Sequence, residues 1–326
     1  INKRIIFSNM STKATELAET YQEKTDIEHI LDAPDTYIGS VEADTVTNWV
    51  LNRDNEMKHE SYEWIAGLYK TFDEGIVNCR DHFVRLQQKL LKKEKKIIPV
   101  RNIEITVDRE TGVITMMNDG NGVDVAKHPE NKMWIPEMVF GHLRTSTNYK
   151  KDEKKIVGGK NGFGFKLVLI YSKWGEIETV DHIRGRKYNQ RFEDNLTTIC
   201  KPNVRKSKSK PYTKVTWLPD YERFGIKSLS DDMFNIFKKR TFDIGVVTDK
   251  SVRVKFNGKA VPNKSFEQYI DTYIGPKSEA KRVFDSNNRW EIAACISPLD
   301  EFTQVSYVNG VNTTKGGKHV DYILNQ

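Results

Sequence analysis

The stretch Ile156-Val157-Gly158-Gly159-Lys160-Asn161-Gly162-Phe163-Gly164-Phe165-Lys166-Leu167 holds four glycines and two lysines, and an apolar run, Val168-Leu169-Ile170-Tyr171, follows it. Glycine lets the backbone take positive φ and lets another molecule come close to the N–H groups. Successive inward N–H groups make an anion nest, and a helix that starts just beyond adds its positive dipole end. The chemistry is that of a phosphate cradle. The same residues also suit an ordinary surface loop with incidental lysines. The stretch is not a Walker A loop, because Phe165 stands after Gly164 where Lys-Ser/Thr would be needed, and it lacks the Gly-x-Gly-x-x-Gly spacing of dinucleotide folds.

Working outward, the 326 residues suggest two domains. With 37% hydrophobic and 30% charged residues, the composition is that of an ordinary globular protein. No run is long enough for a membrane span, and the N-terminus turns polar too quickly for a secretory signal. The net charge of +7 favours a polyanionic partner, nucleic acid above all. Cys79, Cys200 and Cys295 are odd in number and far apart, and the seven histidines are scattered. Neither a disulfide framework nor a zinc site is expected, and a reducing, intracellular compartment is.

Hydrophobic periodicity outlines the elements. Residues 11–24 suggest a short helix within a polar arm. Thr45 to Asn52 reads as a strand and Arg53 to Ser61 as a hairpin or loop. Tyr62 to Leu91 repeats apolar residues at helical spacing and ends in Lys92-Lys93-Glu94-Lys95-Lys96, which suits a helix C-terminus. Strands are expected over 102–108, 113–118, 175–180, 187–192, 197–200, 214–218 and 252–256, then over 290–297 and 304–308. Helices are expected over 137–143, 230–241 and 266–274, and another begins near Gly316.

Three further stretches share the chemistry of the glycine-rich one. In Phe72-Asp73-Glu74-Gly75-Ile76-Val77-Asn78-Cys79-Arg80-Asp81-His82, the side chains of Glu74, Asn78 and His82 recur every four residues and share one helix face. Such a stripe is often merely solvated. Yet Gly75 costs about 1 kcal/mol in a helix interior relative to Ala, which suggests that something sits close. Asn118-Asp119-Gly120-Asn121-Gly122 is either a plain turn or a backbone passing close to a flat ligand. Thr145-Ser146-Thr147-Asn148-Tyr149 offers hydroxyls and an amide that can hold phosphate and ribose oxygens or cap a turn.

Taken in this order, the four stretches resemble the ATPase region of type II DNA topoisomerases of the eukaryotic and large-DNA-virus kind, within the superfamily of gyrase, Hsp90, MutL and the histidine kinases. The resemblance runs from about Lys24 to Gln326. It is carried by Lys24 to Leu31, Pro34 to Ser40, Gly67 to Glu74, Gly158 to Gly164 and Val308-Asn309-Gly310-Val311-Asn312-Thr313-Thr314-Lys315-Gly316-Gly317-Lys318-His319-Val320-Asp321-Tyr322. The last of these separates topoisomerases from the other members. It implies an α+β fold: a nucleotide-binding domain with a mixed sheet covered by helices on one face, then the start of a second α/β transducer domain. The expected division is an arm over 1–26, an ATP-binding domain over 27–262 and a partial transducer over 263–326.

The resemblance also implies roles. Glu74 matches the general base that activates water, and Asn78 the Mg²⁺ ligand. Asn118 matches the adenine reader, and Ser146, Thr147 and Asn148 the sugar and phosphate contacts. Gly159, Lys160, Asn161, Gly162, Phe163, Gly164, Phe165 and Lys166 match the phosphate loop, and Tyr37 stands where the arm of one subunit meets the nucleotide of the other. The implied cofactors are ATP and Mg²⁺. The implied partners are double-stranded DNA, a second copy of the chain and the cleavage core of a longer topoisomerase, with no membrane. The implied setting is the nucleus or a viral replication compartment. His82 stands where many relatives carry Asn, so an altered phosphate contact is expected there. Phe165 replaces a small residue. The transducer lysine that touches the γ-phosphate in the family finds no match, so the chain is expected to be a fragment. Lys201, Arg205, Lys206, Lys208, Lys210 and Lys214 form a basic run suited either to solvent or to DNA phosphates. Rival readings are a chaperone-like or repair ATPase of the same superfamily and a non-enzymatic nucleic-acid-binding module.

Overall fold

The computed structural model describes residues 24–52, 56–143, 145, 164–262, 265–287 and 289–326. The expected helix at 11–24 falls almost wholly outside them.

After the hairpin of β1 (Ala43–Leu51) and β2 (Met57–Ile65), strand alternation sets the architecture. In β3 (Asn102–Val107) and β4 (Ile114–Asp119), Ile103, Ile105, Val107, Ile114 and Met116 are buried, while Glu104, Thr106, Thr115 and Met117 between them are not. One face is therefore apolar and the other polar, as suits a sheet covered on one side. With β5 (Ser172–Asp181), β6 (Arg186–Glu193), β7 (Thr198–Ile199), β8 (Asn203–Lys206), β9 (Tyr212–Pro219), β10 (Arg253–Phe256) and β11 (Lys259–Ala260) they form a nine-stranded sheet. Its order is β11-β10-β3-β4-β9-β5-β6-β7, with β8 on β6. Only the β10–β3 pair is parallel, so the sheet is mixed. Polar pairs cross the open face: Lys255 to Glu104 at 2.6 Å, Asn189 to Glu176 at 2.8 Å and Thr115 to Thr216 at 3.1 Å.

The apolar face is covered by two long helices, Ala66–Leu91 and Asp231–Val246, joined by the stacked rings of Phe72 and Phe237, 4.1 Å apart. Gly75 explains its own cost. A Cβ there would lie 2.7 Å from Met116 Sδ and 3.3 Å from Trp217, so glycine lets the helix settle onto the sheet. What sits close to Gly75 is the core.

The amino-terminal part docks on this helix. Thr25 and Glu28 form a capping box on helix Asp26–Asp32. Gly67 N donates to Ser40 O at 2.8 Å, and a Cβ on Gly67 would lie 2.9 Å from Ile38 Cδ1. Of the two readings of Arg53 to Ser61, the hairpin is the one found: Met57–Ile65 pairs antiparallel with Ala43–Leu51, and residues 62–65, expected to be helical, complete the second strand. The hairpin lies on helix Asp231–Val246 and buries Met57, Tyr62 and Ile65. Lys58, His59, Glu60 and Ser61 separate the buried Met57 from the buried Tyr62, so no apolar alternation announces the strand. The expected helix therefore begins at Ala66 rather than Tyr62.

Beyond Ser265 come helix Phe266–Ile274, hairpin Arg282–Ser286/Glu291–Cys295, a small hairpin Tyr307–Val308/Val311–Asn312 and helix Lys318–Leu324. The strand expected over 304–308 shrinks to two residues. Gln304 and Ser306 instead bond through their side chains to Thr313, Thr314 and His319.

Candidate active site

Glu74 and Asn78 lie one turn apart on helix Ala66–Leu91, both half-buried. Asn78 Nδ2 donates to the carbonyl of Glu74 at 2.6 Å, which turns its Oδ1 the other way. Gly164 opens the short helix Gly164–Ile170 at the end of the glycine-rich stretch. Its backbone rests on this pair: a Cβ at Gly164 would collide with Glu74 Oε2 and lie 3.9 Å from Asn78 Nδ2. Three expected residues, 90 positions apart at the extremes, therefore meet at one spot because glycine permits it.

Lys70, one turn before Glu74, donates from Nζ to Glu74 Oε1 at 2.6 Å. Burial works against its charge, but the Glu74 carboxylate outweighs it and raises the ammonium above its usual value. The motif reading passed over Lys70; its i, i+4 spacing to Glu74 was the available signal.

Lys166 is 4% exposed and donates to Thr145 O at 2.5 Å. Thr145 Oγ1 in turn lies 2.6 and 2.8 Å from Met138 O and His142 O, which share its one proton. The ammonium thus ties together the two flanks of residues 146–163, and burial pushes its pKa down to about 8. Phe165 turns into the core. Its ring meets Phe140 and Trp217 edge-on at 5.4 and 5.9 Å.

Asn118 is 5% exposed at the end of β4, and its Nδ2 donates to Asp119 O at 3.0 Å. Asp119 accepts from the N–H groups of Arg101 and Asn102 and from Asn102 Nδ2, and so fixes the strand entrance. Gly120 takes φ +90°, and a Cβ on Gly122 would strike Val180 O. His82 braces this turn. Its Nε2–H donates to Asn121 O at 2.7 Å, and burial, then Arg85, lower its pKa to about 4. The ring is neutral and ties the helix to the Asn118–Gly122 turn.

Tyr37 ends helix Pro34–Tyr37, with its hydroxyl 3.0 Å from His29 Nδ1. Ser146, Thr147, Asn148, Gly159, Lys160, Asn161, Gly162 and Phe163 lie outside the described residues. In the basic run, Lys214 pairs with Glu178 at 3.2 Å, and Lys187 on β6 pairs with the same carboxylate at 2.6 Å. Against the cost of partial burial, hydrogen bonds from Lys187, Tyr212 and Lys214 hold that carboxyl down to about 2. Lys201, Arg205, Lys206, Lys208 and Lys210 are exposed.

Among the described residues no cluster of three His, Cys, Asp or Glu could hold a metal, and no helix is long and apolar enough to cross a membrane. A single amide oxygen beside a carboxylate still suits Mg²⁺, which takes one or two protein oxygens and completes its shell with waters and substrate phosphates.

No protein-family model matches the chain. It is 41% identical over 328 residues to DNA topoisomerase 2 of Acanthamoeba polyphaga mimivirus, covering 98% of the chain and 25% of that relative. It is 42% identical over 318 residues to DNA topoisomerase 2 of Arabidopsis thaliana, covering 95% and 21%. The chain thus spans about a quarter of the length of these curated relatives. Among solved structures, the ATPase region of Saccharomyces cerevisiae topoisomerase II matches with TM-score 0.86 and 37% identity, over 94% of this chain and 79% of that one. The ATPase and transducer domains of topoisomerase II from Balamuthia mandrillaris match with TM-score 0.85 and 38% identity, over 94% and 76%. The mixed sheet with helices on its apolar face, Gly164 seated on Glu74 and these likenesses agree: the chain belongs to the type II DNA topoisomerases, and it corresponds to their ATPase region.

Proposed function

We propose that the protein binds Mg-ATP and hydrolyses it to operate a dimeric gate that captures a double-stranded DNA segment. The observation that carries this reading is the seating of Gly164 on Glu74 and Asn78. It joins the end of a phosphate-cradle sequence to a carboxylate and an amide on one helix face.

In this reading the cradle residues 159–166 hold the phosphates by backbone N–H groups and by Lys160. Ser146, Thr147 and Asn148 hold the sugar and phosphates, and Asn118 reads the adenine from the end of β4. Glu74 takes the proton of the attacking water as its oxygen bonds to the γ-phosphorus and the bond to ADP breaks. Lys70 holds that carboxylate in place. Asn78 Oδ1 is the protein donor for Mg²⁺, which when bound neutralises phosphate charge. Tyr37 meets the partner's nucleotide through an exchanged arm. Residues 27–262 act as the nucleotide-binding domain and 263–326 as part of a transducer, in a protein that works inside the cell.

The exposed cations Lys201, Arg205, Lys206, Lys208 and Lys210 suit phosphate contacts on captured DNA. Lys214 does not share that role, because Glu178 engages it.

Exchange of Glu74 for alanine tests the reading. The Glu74→Ala protein is expected to bind ATP with affinity within about threefold of the parent while turnover falls by about 10²-fold or more. Undiminished turnover would remove Glu74 from the role of base. Loss of Mg²⁺-dependent ATP binding by the parent chain itself would favour a module that grips nucleic-acid phosphates without turnover.

A further inference from the structure

The topoisomerase-specific segment Val308–Tyr322 has no part in the chemistry above, yet two arginines hold its first turn. Arg240 is 1% exposed. Its Nε donates to Asp73 Oδ1 at 2.6 Å and its Nη2 to Gly310 O at 2.6 Å. Arg80 donates from Nη1 to Asn309 O at 2.8 Å and from Nε to Val247 O at 3.0 Å. Asp73 directly precedes Glu74, and Arg80 follows Asn78 by two residues. The hairpin therefore grips the helix on both sides of the segment that carries the site.

The fit is close and depends on backbone. Asn309 and Gly310 form the tight turn with φ of 51° and 81°. A Cβ on Gly310 would lie 2.6 Å from Arg80 Nε and 2.9 Å from its Cζ. Both arginines bond carbonyl oxygens, so they sense where the turn is rather than which side chains it carries. Arg240 Nη1 is already buried without a hydrogen-bond partner among the described residues. Removing Gly310 O would leave Nη2 in the same condition, with Asp73 the hydrogen-bonded partner that is left to the buried guanidinium among the described residues. A buried charge that loses a partner is costly, so the hairpin and the Asp73 end of the helix move together or not at all.

We propose that Arg80 and Arg240 are positioning residues that couple the hairpin Tyr307–Asn312 to the helix segment 73–80, so that occupancy of the nucleotide site and placement of the hairpin report on each other. The inference rests on the reading of Glu74 and Asn78 as the nucleotide site. Such coupling is reciprocal: a ligand that fixes the helix must fix the hairpin by the same free energy.

Amide hydrogen exchange on the whole chain tests it in two arms. Without nucleotide, Arg80→Ala is expected to speed exchange about tenfold at both 74–80 and 309–312, and to leave 172–193 unchanged. Arg80→Lys keeps the charge and stem but loses the fork, and it gives the same paired change at smaller size. With Mg²⁺ and a saturating non-hydrolysable ATP analogue, the parent chain slows exchange at 309–312 about tenfold. Arg80→Ala binds the analogue within about threefold yet shows no such slowing. Faster exchange confined to one of the two segments, or analogue-induced slowing that survives in Arg80→Ala, overturns the coupling. Failure of the analogue to bind the parent chain overturns the nucleotide reading instead, and the first arm then decides whether the clamp exists.

Discussion

Glu74 answers to two neighbours of opposite kind. On one side Lys70 Nζ holds Oε1 at 2.6 Å, and on the other the backbone of Gly164 leaves just enough room for Oε2. An exposed i, i+4 ion pair adds only about 0.3–0.5 kcal/mol to a helix, and Lys70 is 40% exposed. Stability is therefore a poor reason for the pair, and orientation of the base is a better one. Lys70→Met is expected to lower ATP turnover about tenfold with KM within about threefold, because a misplaced base weakens the transition state more than ground-state binding. Steady-state kinetics checks this, and equal kcat in both proteins would reduce the pair to surface decoration. Glu74 and Asn78 were legible as residues because their spacing alone put them on one face. Arg240 was not, since its partner Asp73 lies 167 positions away and only the fold joins them.

At the scale of elements, the long helix is tied to the β4 turn by one imidazole. His82 donates to Asn121 O, and burial keeps it neutral, with a pKa of about 4. The unfolded chain therefore binds a proton between about pH 6.5 and 4 that the folded chain does not, so stability is full above that window and falls as the pH drops through it. His82→Gln keeps a donor for Asn121 O but cannot titrate. Urea unfolding across this range is expected to show a shallower loss of stability for His82→Gln than for the parent chain, by about one proton's worth of slope. Parallel curves would mean that His82 does not carry this proton. Periodicity made most elements visible, including the long helix and most strands of the large sheet, but not the short β8 inside the basic run or the two-residue β11. It did not mark Met57–Ile65 as a strand, where the polar Lys58 to Ser61 leave no apolar alternation. It also misread Gly75: the glycine was noticed for the right reason, close approach, but Met116 and Trp217 are what approach it.

At the scale of the molecule, the sheet and its two covering helices form a platform. The sites fall where the long helix meets the ends of β4 and of helix Gly164–Ile170. Strand order was not readable from one sequence, because β4 lies between β3 and β9 and nothing local announces a partner nearly a hundred residues away. The order of the four motifs carried that information indirectly, through resemblance to a family whose fold is fixed. Phe165 illustrates the limit: its size counted against it in a loop, but in the packed molecule the half-buried ring meets Phe140 and Trp217 edge-on.

The central claim is that Glu74, Asn78 and the glycine-rich stretch form one Mg-ATP site. Calorimetric titration of the chain with a non-hydrolysable ATP analogue, with and without Mg²⁺, tests it most directly. The parent chain is expected to bind one analogue per chain with Mg²⁺ and at least about tenfold more weakly without it, and Asn78→Ala is expected to lose most of that Mg²⁺ dependence. Binding that is indifferent to Mg²⁺ in the parent chain, or an Asn78→Ala protein that keeps the full dependence, would contradict the account.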